Sequence, residues 1–193
     1  MRGFYQFKSK FLTFFGDLKY FKCPPCIVYQ PVTFKIKGSD TRMLMNIIRD
    51  GDIILRGYNC YLDSLFIPGI YSHTGIYIGN GKMIHAVAEG VSEIDIIDFL
   101  RCDRFCLMRP VKGQETAIKR AKEFLRNKIA YDFDFETWNN KMFCHEFVAQ
   151  CYYGLDIKKE VPELFNGRIR GKPTWLGNSF LKSPDFSLIL ALD

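Results

Sequence analysis

The sequence predicts an α+β protein in which a small, mostly antiparallel sheet or half-barrel packs against a helix that carries a cysteine. Three observations indicate this class. Short apolar strands recur between residues 51 and 111, and two of them flank an Asn80-Gly81 turn of the kind that favours hairpins. Two segments, 114–128 and 143–155, repeat apolar residues at helical spacing. A final apolar run at 186–192 is short enough to add a last strand.

Composition limits the possible functions. At 193 residues with 48% hydrophobic residues, the chain can bury one core of ordinary size, which excludes disorder as its main state. The net charge of +6 is common among proteins that bind no nucleic acid, and we expect no such partner. Seven cysteines, an odd number, predict reduced thiols and a cytoplasmic location. No run approaches the ~20 apolar residues of a transmembrane helix.

Residues 1–40 form a basic-aromatic extension, and residues 41–193 form the main domain. Residues 1–22 combine five Lys or Arg with eight aromatics and could be a helix that lies on the main domain or makes peripheral contact with a membrane. The proline-rich stretch that follows reads as an extended connector. It contains Cys23 and Cys26, whose spacing alone does not support a redox or zinc site without a second ligand pair.

The main domain opens with a predicted helix from residue 41 that ends at Asp50-Gly51. Its apolar face comprises Met43, Leu44, Ile47 and Ile48. Residues 51–57 then read as a buried strand, and residues 58–71 as a long loop with a Pro-Gly turn.

The stretch SHTGIYIGNGKMIHA, residues 72–86, holds two of the three histidines of the chain, His73 and His85, on the two arms of a predicted hairpin. A two-residue turn pairs Gly79 with Lys82. In that register His73 lies opposite Ala88, and His85 lies opposite Thr74, so the two imidazoles do not share a side. A bulge or a longer Gly79 to Lys82 loop would be needed to bring them together.

The remaining elements follow in order. Residues 91–103 predict a strand that runs into a short helical turn, and residues 104–111 predict the next strand. The helix at 114–128 presents an apolar face of Ala117, Ala121, Phe124 and Leu125. The helix after residue 143 presents Cys144, Phe147, Val148 and Cys151 on one face, with Gly154 as a C-cap.

Cys144 falls in the first turn of its predicted helix, just after two asparagines. Unpaired N–H groups and the helix dipole favour a thiolate at such a position, which makes the cysteine a candidate nucleophile. The same N–H groups can form an oxyanion hole. A nucleophilic thiol also needs an imidazole within hydrogen-bond reach and a third polar group that orients the imidazole.

The segments GDIIL, SHTGIYIGNGKMIHA and FCHEFVAQCY together resemble the circularly permuted branch of the NlpC/P60 papain-like superfamily. The resemblance is in particular to the YiiX/YebB-like group and its poxvirus relatives. The resemblance spans about residues 41–155 and implies a permuted papain-like fold, with 41–193 as the catalytic domain. It implies Cys144 as the nucleophile, His73 as the general base and His85 as the third polar residue.

The third residue bears on the substrate. YiiX-like members tend to have Glu where this chain has His85, whereas the related lecithin:retinol acyltransferase-like proteins have His. The block FCHEFV also looks like the NCEHFV block of those lipid enzymes, with His and Glu exchanged. The resemblance implies a thiol hydrolase that cleaves an amide or peptide bond through a thioester and requires no metal or organic cofactor. A lipid acyl hydrolase or acyltransferase at a membrane surface is an alternative, and a non-catalytic binding module of the same fold is another.

Several residues have simpler interpretations. Cys151 is expected in the core, and Tyr71 and Tyr77 in packing positions. His145 points about 100° away from the nucleophile along the helix and is expected to be a wall or surface residue. Glu89 and Asp95 are substitute orienters of His73. Zinc ligation by His73, His85 and Cys144 is chemically conceivable, although the triad already accounts for these groups.

Overall fold

The computed structural model describes residues 6–8, 10–11, 18–22, 25–29, 34–59, 67, 69–137, 139–164 and 169–193. Cys23, one of the two cysteines of the Cys23/Cys26 pair, lies outside these ranges. So do residues 60–66 and 68 of the predicted long loop. In the described part of the chain, no helix has the length and apolar character needed to cross a membrane.

Within the described residues, six strands form one sheet in which all neighbours are antiparallel. They are β3 Ile53–Gly57, β4 His73–Tyr77, β5 Lys82–Val87, β6 Gly90–Asp95, β7 Arg104–Pro110 and β12 Phe186–Leu192. Their order across the sheet is β12-β7-β3-β4-β5-β6. Short pairs in the described residues form separate two-stranded sheets: β1 Leu18–Lys22 with β2 Pro25–Tyr29, β8 Ala130–Tyr131 with β9 Lys141–Met142, and β10 Glu163–Leu164 with β11 Ile169–Arg170. The mostly antiparallel α+β architecture expected from the sequence is confirmed.

The helices cover both faces of the sheet. They are α1 Gly38–Met45, α2 Ile96–Phe99, α3 Gln114–Arg126, α4 Cys144–Cys151 and α5 Gly177–Leu181. Side-chain alternation along the strands creates a core on each face. The first core joins Ile53, Leu55, Ile76 and Ile84 of the sheet to Ala117 and Ala121 of α3 and to Phe147 and Val148 of α4. The second core joins Ile54, Tyr77 and Met83 to Leu44 of α1 and to Ile96 and Phe99 of α2.

The register expected for the β4–β5 hairpin is wrong by one residue. The Ile78 N–H donates to the Lys82 carbonyl at 2.9 Å, so three residues, Gly79 to Gly81, form the loop. All three have positive φ, including Asn80 at 52°. The pairing places His85 opposite Gly75. Because Gly75 and His73 are two residues apart on β4, His73 and His85 share a face of the sheet.

Two further expectations need correction. In the 1–22 segment, residues 6–8 and 10–11 are helical, but the end is not, since Leu18–Lys22 is a strand paired with Pro25–Tyr29. Helix α1 buries Leu44, but Met43 is 44% exposed and Ile47 is 36% exposed. The helix ends at Met45, so Ile47 lies beyond its regular turns and leaves the predicted apolar face.

Candidate active site

The two histidines of the hairpin are in direct contact. Nε2 of His73 lies 2.9 Å from Nδ1 of His85, a hydrogen-bond distance, and the ring centroids are 5.1 Å apart. His85 is buried, whereas His73 is half-buried at the start of β4. The three-residue loop therefore produces the imidazole pair that a two-residue turn would have prevented.

Gly75 makes room for this pair. A Cβ atom at this position would lie 3.0 Å from Cε2 of Phe99, 3.1 Å from the Ile84 carbonyl oxygen and 3.2 Å from Cβ of His85. These distances are shorter than ordinary van der Waals contacts, and one of them involves backbone. The missing side chain lets the His85 ring extend along the sheet toward His73.

Phe99 of α2 lies under both rings. Its centroid is 5.6 Å from that of His73 and 5.6 Å from that of His85. Arg56 of β3, paired directly with His73, stacks its guanidinium 4.4 Å above the same phenyl ring. The histidine pair thus rests on an aromatic floor with a cation beside it.

Cys144 is the first residue of α4, as the sequence predicted. The sulfur is buried, with the residue 3% exposed. The Cys144 Sγ–H group lies 3.8 Å from the Ser72 carbonyl oxygen, and the Thr74 backbone N–H also faces the sulfur. Because Ser72 and Thr74 flank His73 in the chain, the sulfur lies against the backbone of β4 beside the base expected from the sequence.

The imidazole in hydrogen-bond reach of the sulfur is that of His145. Its Nδ1 is 3.5 Å from Cys144 Sγ. No hydrogen bond joins the sulfur to the His73 ring, both of which belong to the described residues. The structure brings His73 and His85 together and places Cys144 at the adjacent backbone, with its thiol held by Ser72 and His145.

Burial dominates the electrostatics of the thiol. It raises the pKa of Cys144 to about 11, against smaller lowering effects from the backbone N–H groups of Thr74 and His145 and from the charge of Arg56. The helix start alone therefore does not produce a thiolate in this closed arrangement. A thiolate requires that the sulfur gain solvent or a charged partner.

The imidazoles are held neutral. Burial, followed by the Arg56 charge and the neighbouring histidines, holds the pKa of His73 well below its ordinary value. Burial and then Arg56 lower the pKa of His85 to about 3. Burial alone lowers the pKa of His145 to about 3. Neutral imidazoles are the form in which a histidine can accept a proton.

Sequence reasoning expected His145 to be a wall or surface residue and did not single out Arg56. His145 is 2% exposed and its Nε2 is buried without a hydrogen-bond partner, so it is not a surface residue. Its neighbour Glu146 is equally buried. The sequence signal for this burial was the polar pair His145-Glu146, which directly follows Cys144 in an otherwise apolar helix. For Arg56, the signal was a cation near the end of an otherwise apolar strand.

The other candidates occupy ordinary positions. Cys151 lies in the first core, as predicted. Tyr71 and Tyr77 are buried, and the Tyr77 hydroxyl accepts a hydrogen bond from the Gly81 N–H at 3.1 Å. Asp95 caps α2 by accepting from the Ile97 N–H at 2.9 Å, and Glu89 is exposed. Neither carboxylate hydrogen-bonds to His73.

With the histidine strands before the cysteine helix in the chain, the architecture is that of a permuted papain-like protein. Residues 47–190 match the family described as permuted papain-like amidase enzyme, YaeF/YiiX, C92 family. The chain belongs to this family of thiol hydrolases, and the resemblance inferred from its sequence is confirmed.

Individual relatives agree with this assignment. Protein OPG091 of variola virus is 28% identical over 138 residues, which cover 67% of this chain and 77% of the relative. Protein OPG091 of vaccinia virus, strain Copenhagen, shows the same identity and coverage. The crystal structure of the metalloprotein yiiX from Escherichia coli O157:H7 has the same fold, with a TM-score of 0.59 and 19% identity over 75% of this chain and 97% of that one.

The bacterial relative is described as a metalloprotein. Across the described residues of this chain, no three His, Cys, Asp or Glu side chains come together in a way that could hold a metal ion. His73 Nε2 and His85 Nδ1 point at one another in a hydrogen bond. Within the described residues, the donor set therefore does not fit a metal ion.

Proposed function

We propose that the protein cleaves an amide or peptide bond with Cys144 as nucleophile, His73 as general base and His85 as its orienting partner. The observation that carries this proposal is the hydrogen bond between Nε2 of His73 and Nδ1 of His85. His73 belongs to β4, the strand against which the Cys144 sulfur lies. Membership of an amidase family supports a peptide-like substrate.

The histidine pair gives His73 a defined tautomer. When His85 Nδ1 accepts the hydrogen bond, the proton of His73 stays on Nε2 and its Nδ1 keeps a lone pair. That nitrogen has no hydrogen bond within the described residues. It is the atom that would take the proton of Cys144, after which the thiolate attacks the substrate carbonyl.

The remaining steps follow from the position of Cys144. The carbonyl oxygen becomes an oxyanion held by backbone N–H groups at the start of α4. His73 then gives its proton to the leaving amine as the C–N bond breaks, and a thioester remains on Cys144. Water hydrolyses this thioester, with His73 taking a proton from the water.

The sulfur must change partners before this chemistry begins. In the closed arrangement its partners are Ser72 and His145, so substrate binding has to bring the thiol and the His73 ring together in place of the His145 contact. Since burial raises the thiol pKa, substrate entry that opens this pocket would also favour the thiolate.

A lipid ester is the second candidate substrate, and two observations favour it. The third polar group is a histidine, as in the related lipid enzymes, and it forms the hydrogen bond that this role needs. Phe7 and Phe11 in the basic-aromatic extension are 68% and 53% exposed. Flotation with anionic liposomes separates the candidates, because loss of binding in a Phe7→Ser, Phe11→Ser double variant supports the lipid substrate.

Iodoacetamide labelling at pH 6, followed at each cysteine by peptide mass spectrometry, tests the proposal. We expect Cys144 to react at least tenfold faster than Cys151, and His73→Gln to reduce the rate at Cys144 by tenfold or more. Glu89→Gln, at an exposed residue that makes no hydrogen bond to His73, is the control and should change that rate less than threefold. Equal rates at Cys144 and Cys151 would instead favour a non-catalytic binding module.

A further inference from the structure

Arg56 is a charged side chain with unused binding capacity beside the histidine pair. It lies on β3 directly opposite His73, and its Nη1 donates to the Phe99 carbonyl oxygen at 2.7 Å. Its guanidinium plane stacks on the Phe99 ring, and the ring of Tyr58 lies 5.5 Å away. These contacts fix the plane of the guanidinium, and among the described residues they give a hydrogen bond to Nη1 only.

Within the described residues, the other edge of the guanidinium has no hydrogen-bond partner. Nε is buried without a hydrogen bond, and Nη2 makes none within the described residues. Nε–H and Nη2–H together form a two-pronged donor that matches both oxygens of a carboxylate. No acidic side chain forms an ion pair with Arg56 within the described part of the chain. An unpaired donor edge on a partly buried cation is costly unless a ligand uses it.

The charge of Arg56 acts on the reacting groups. It contributes to the lowered pKa of His73 and His85, after burial in each case, and it favours the thiolate of Cys144. Arg56 is therefore electrostatically close to the sulfur as well as to both imidazoles.

We infer that Arg56 binds a carboxylate group of the substrate, through its Nε and Nη2 edge, next to the bond that Cys144 attacks. The inference rests on the proposed function and narrows it to acyl or peptide-like substrates that carry a carboxylate near the scissile amide. Arg56 is a specificity residue in this role, since it contacts substrate and takes no part in proton transfer.

Two alkylating agents of nearly equal size test this inference, because iodoacetate carries a carboxylate and iodoacetamide does not. Both form the same kind of bond, in which the Cys144 sulfur displaces iodide from a CH2 group. We expect the iodoacetate to iodoacetamide rate ratio at Cys144 to exceed the ratio at Cys151 by about tenfold, the value of one charge-assisted contact.

Three variants identify the source of that preference. Arg56→Gln should abolish it, and Arg56→Lys, which keeps the charge but loses the fork, should retain only part of it. Arg101→Gln removes an exposed charge two residues after Phe99 and should leave the ratio unchanged. If the ratio is the same in the wild type and in both Arg56 variants while Cys144 still reacts, the carboxylate site is contradicted and the proposed function is not.

A binding measurement covers the case in which Cys144 does not react at all. The three histidines give few imidazole NMR signals, which are assigned from single His→Gln variants. Titration of the full chain with N-acetylglycine should shift the His73 and His85 signals saturably, N-acetylglycinamide should not, and Arg56→Lys should weaken the effect about tenfold. If the carboxylate shifts appear while Cys144 stays unreactive, the proposed hydrolysis fails and the anion site stands. If no carboxylate-dependent shift appears, the anion site fails whatever the cysteine does.

Discussion

At the scale of single residues, the site depends on one position without a side chain. Gly75 sits between the two histidines on the shared face, and the space its missing Cβ leaves is bounded by Phe99, Ile84 and His85. Glycine is needed here for space and not for backbone freedom, since its φ is not among the positive values.

Gly75→Ala should disrupt the imidazole pair. The added methyl must displace the Phe99 ring or the His85 side chain, and we expect a loss of about 1–3 kcal/mol in unfolding free energy from overpacking. Labelling of Cys144 should slow, since His85 no longer reaches His73, whereas loss of stability alone would speed the labelling of a buried thiol. The readouts are urea unfolding and the iodoacetamide rate.

Gly38→Ala is the matched control for this substitution. A Cβ at Gly38 has its nearest contact at 3.7 Å, with the mobile end of Arg42, so stability and labelling should stay close to wild type. Equal behaviour of the two alanine variants would show that the Gly75 space has no role in the site.

At the scale of elements, two helices determine how the cysteine meets the sheet. Every residue of α4 from Cys144 to Ala149 is buried, so this helix has no solvent face through its first turns. Helix α3 packs beside it with Ala117 and Ala121, both 0% exposed. Small side chains at these positions let α3 approach the sheet and α4 closely.

Enlarging this contact should destabilise the protein. Ala121→Leu forces added volume into a closed interface, with an expected loss of about 1–3 kcal/mol in unfolding free energy. Lys122→Leu on the exposed face of the same helix should change stability by less than about 0.5 kcal/mol. Denaturant midpoints of the two variants give the comparison, and similar midpoints would contradict the tight packing of α3.

At the scale of the whole molecule, the fold keeps buried histidines in their neutral form. His85 and His145 are almost fully buried, and burial is the main cause that lowers the pKa of each to about 3. In the unfolded chain a histidine has a pKa near 6.5. Between pH 6.5 and 3 the unfolded state therefore binds more protons than the folded state, and stability falls as the pH is lowered.

We expect unfolding free energy to decrease by about 2 kcal/mol for each of these histidines between pH 8 and pH 5. Urea unfolding at pH 8, 6.5 and 5 measures the decrease, because most carboxylates titrate below this window. A His145→Gln variant should show a decrease that is smaller than that of wild type by about 2 kcal/mol, the contribution of one histidine. A midpoint that stays constant down to pH 5 would mean that the imidazoles are protonated without unfolding.

The local chemistry of the sequence determined the order of strands and helices through the main domain, the placement of Cys144 at the start of a helix and the two histidines on adjacent strands. These features depend on side-chain periodicity and on turn residues, which act over a few neighbouring positions. The membership of the permuted family was also visible, because its blocks are contiguous in the chain.

Only the tertiary structure decided the register of the hairpin, the contact of the sulfur with His145 and the unpaired edge of Arg56. A two-residue and a three-residue loop are both compatible with the stretch Gly79 to Lys82, and a shift of one residue moves His85 to the other face. Packing on Phe99 and against α4 selects among such alternatives, and it joins residues that lie far apart in sequence. Burial, which sets the pKa of each reacting group, exists only once those elements have assembled.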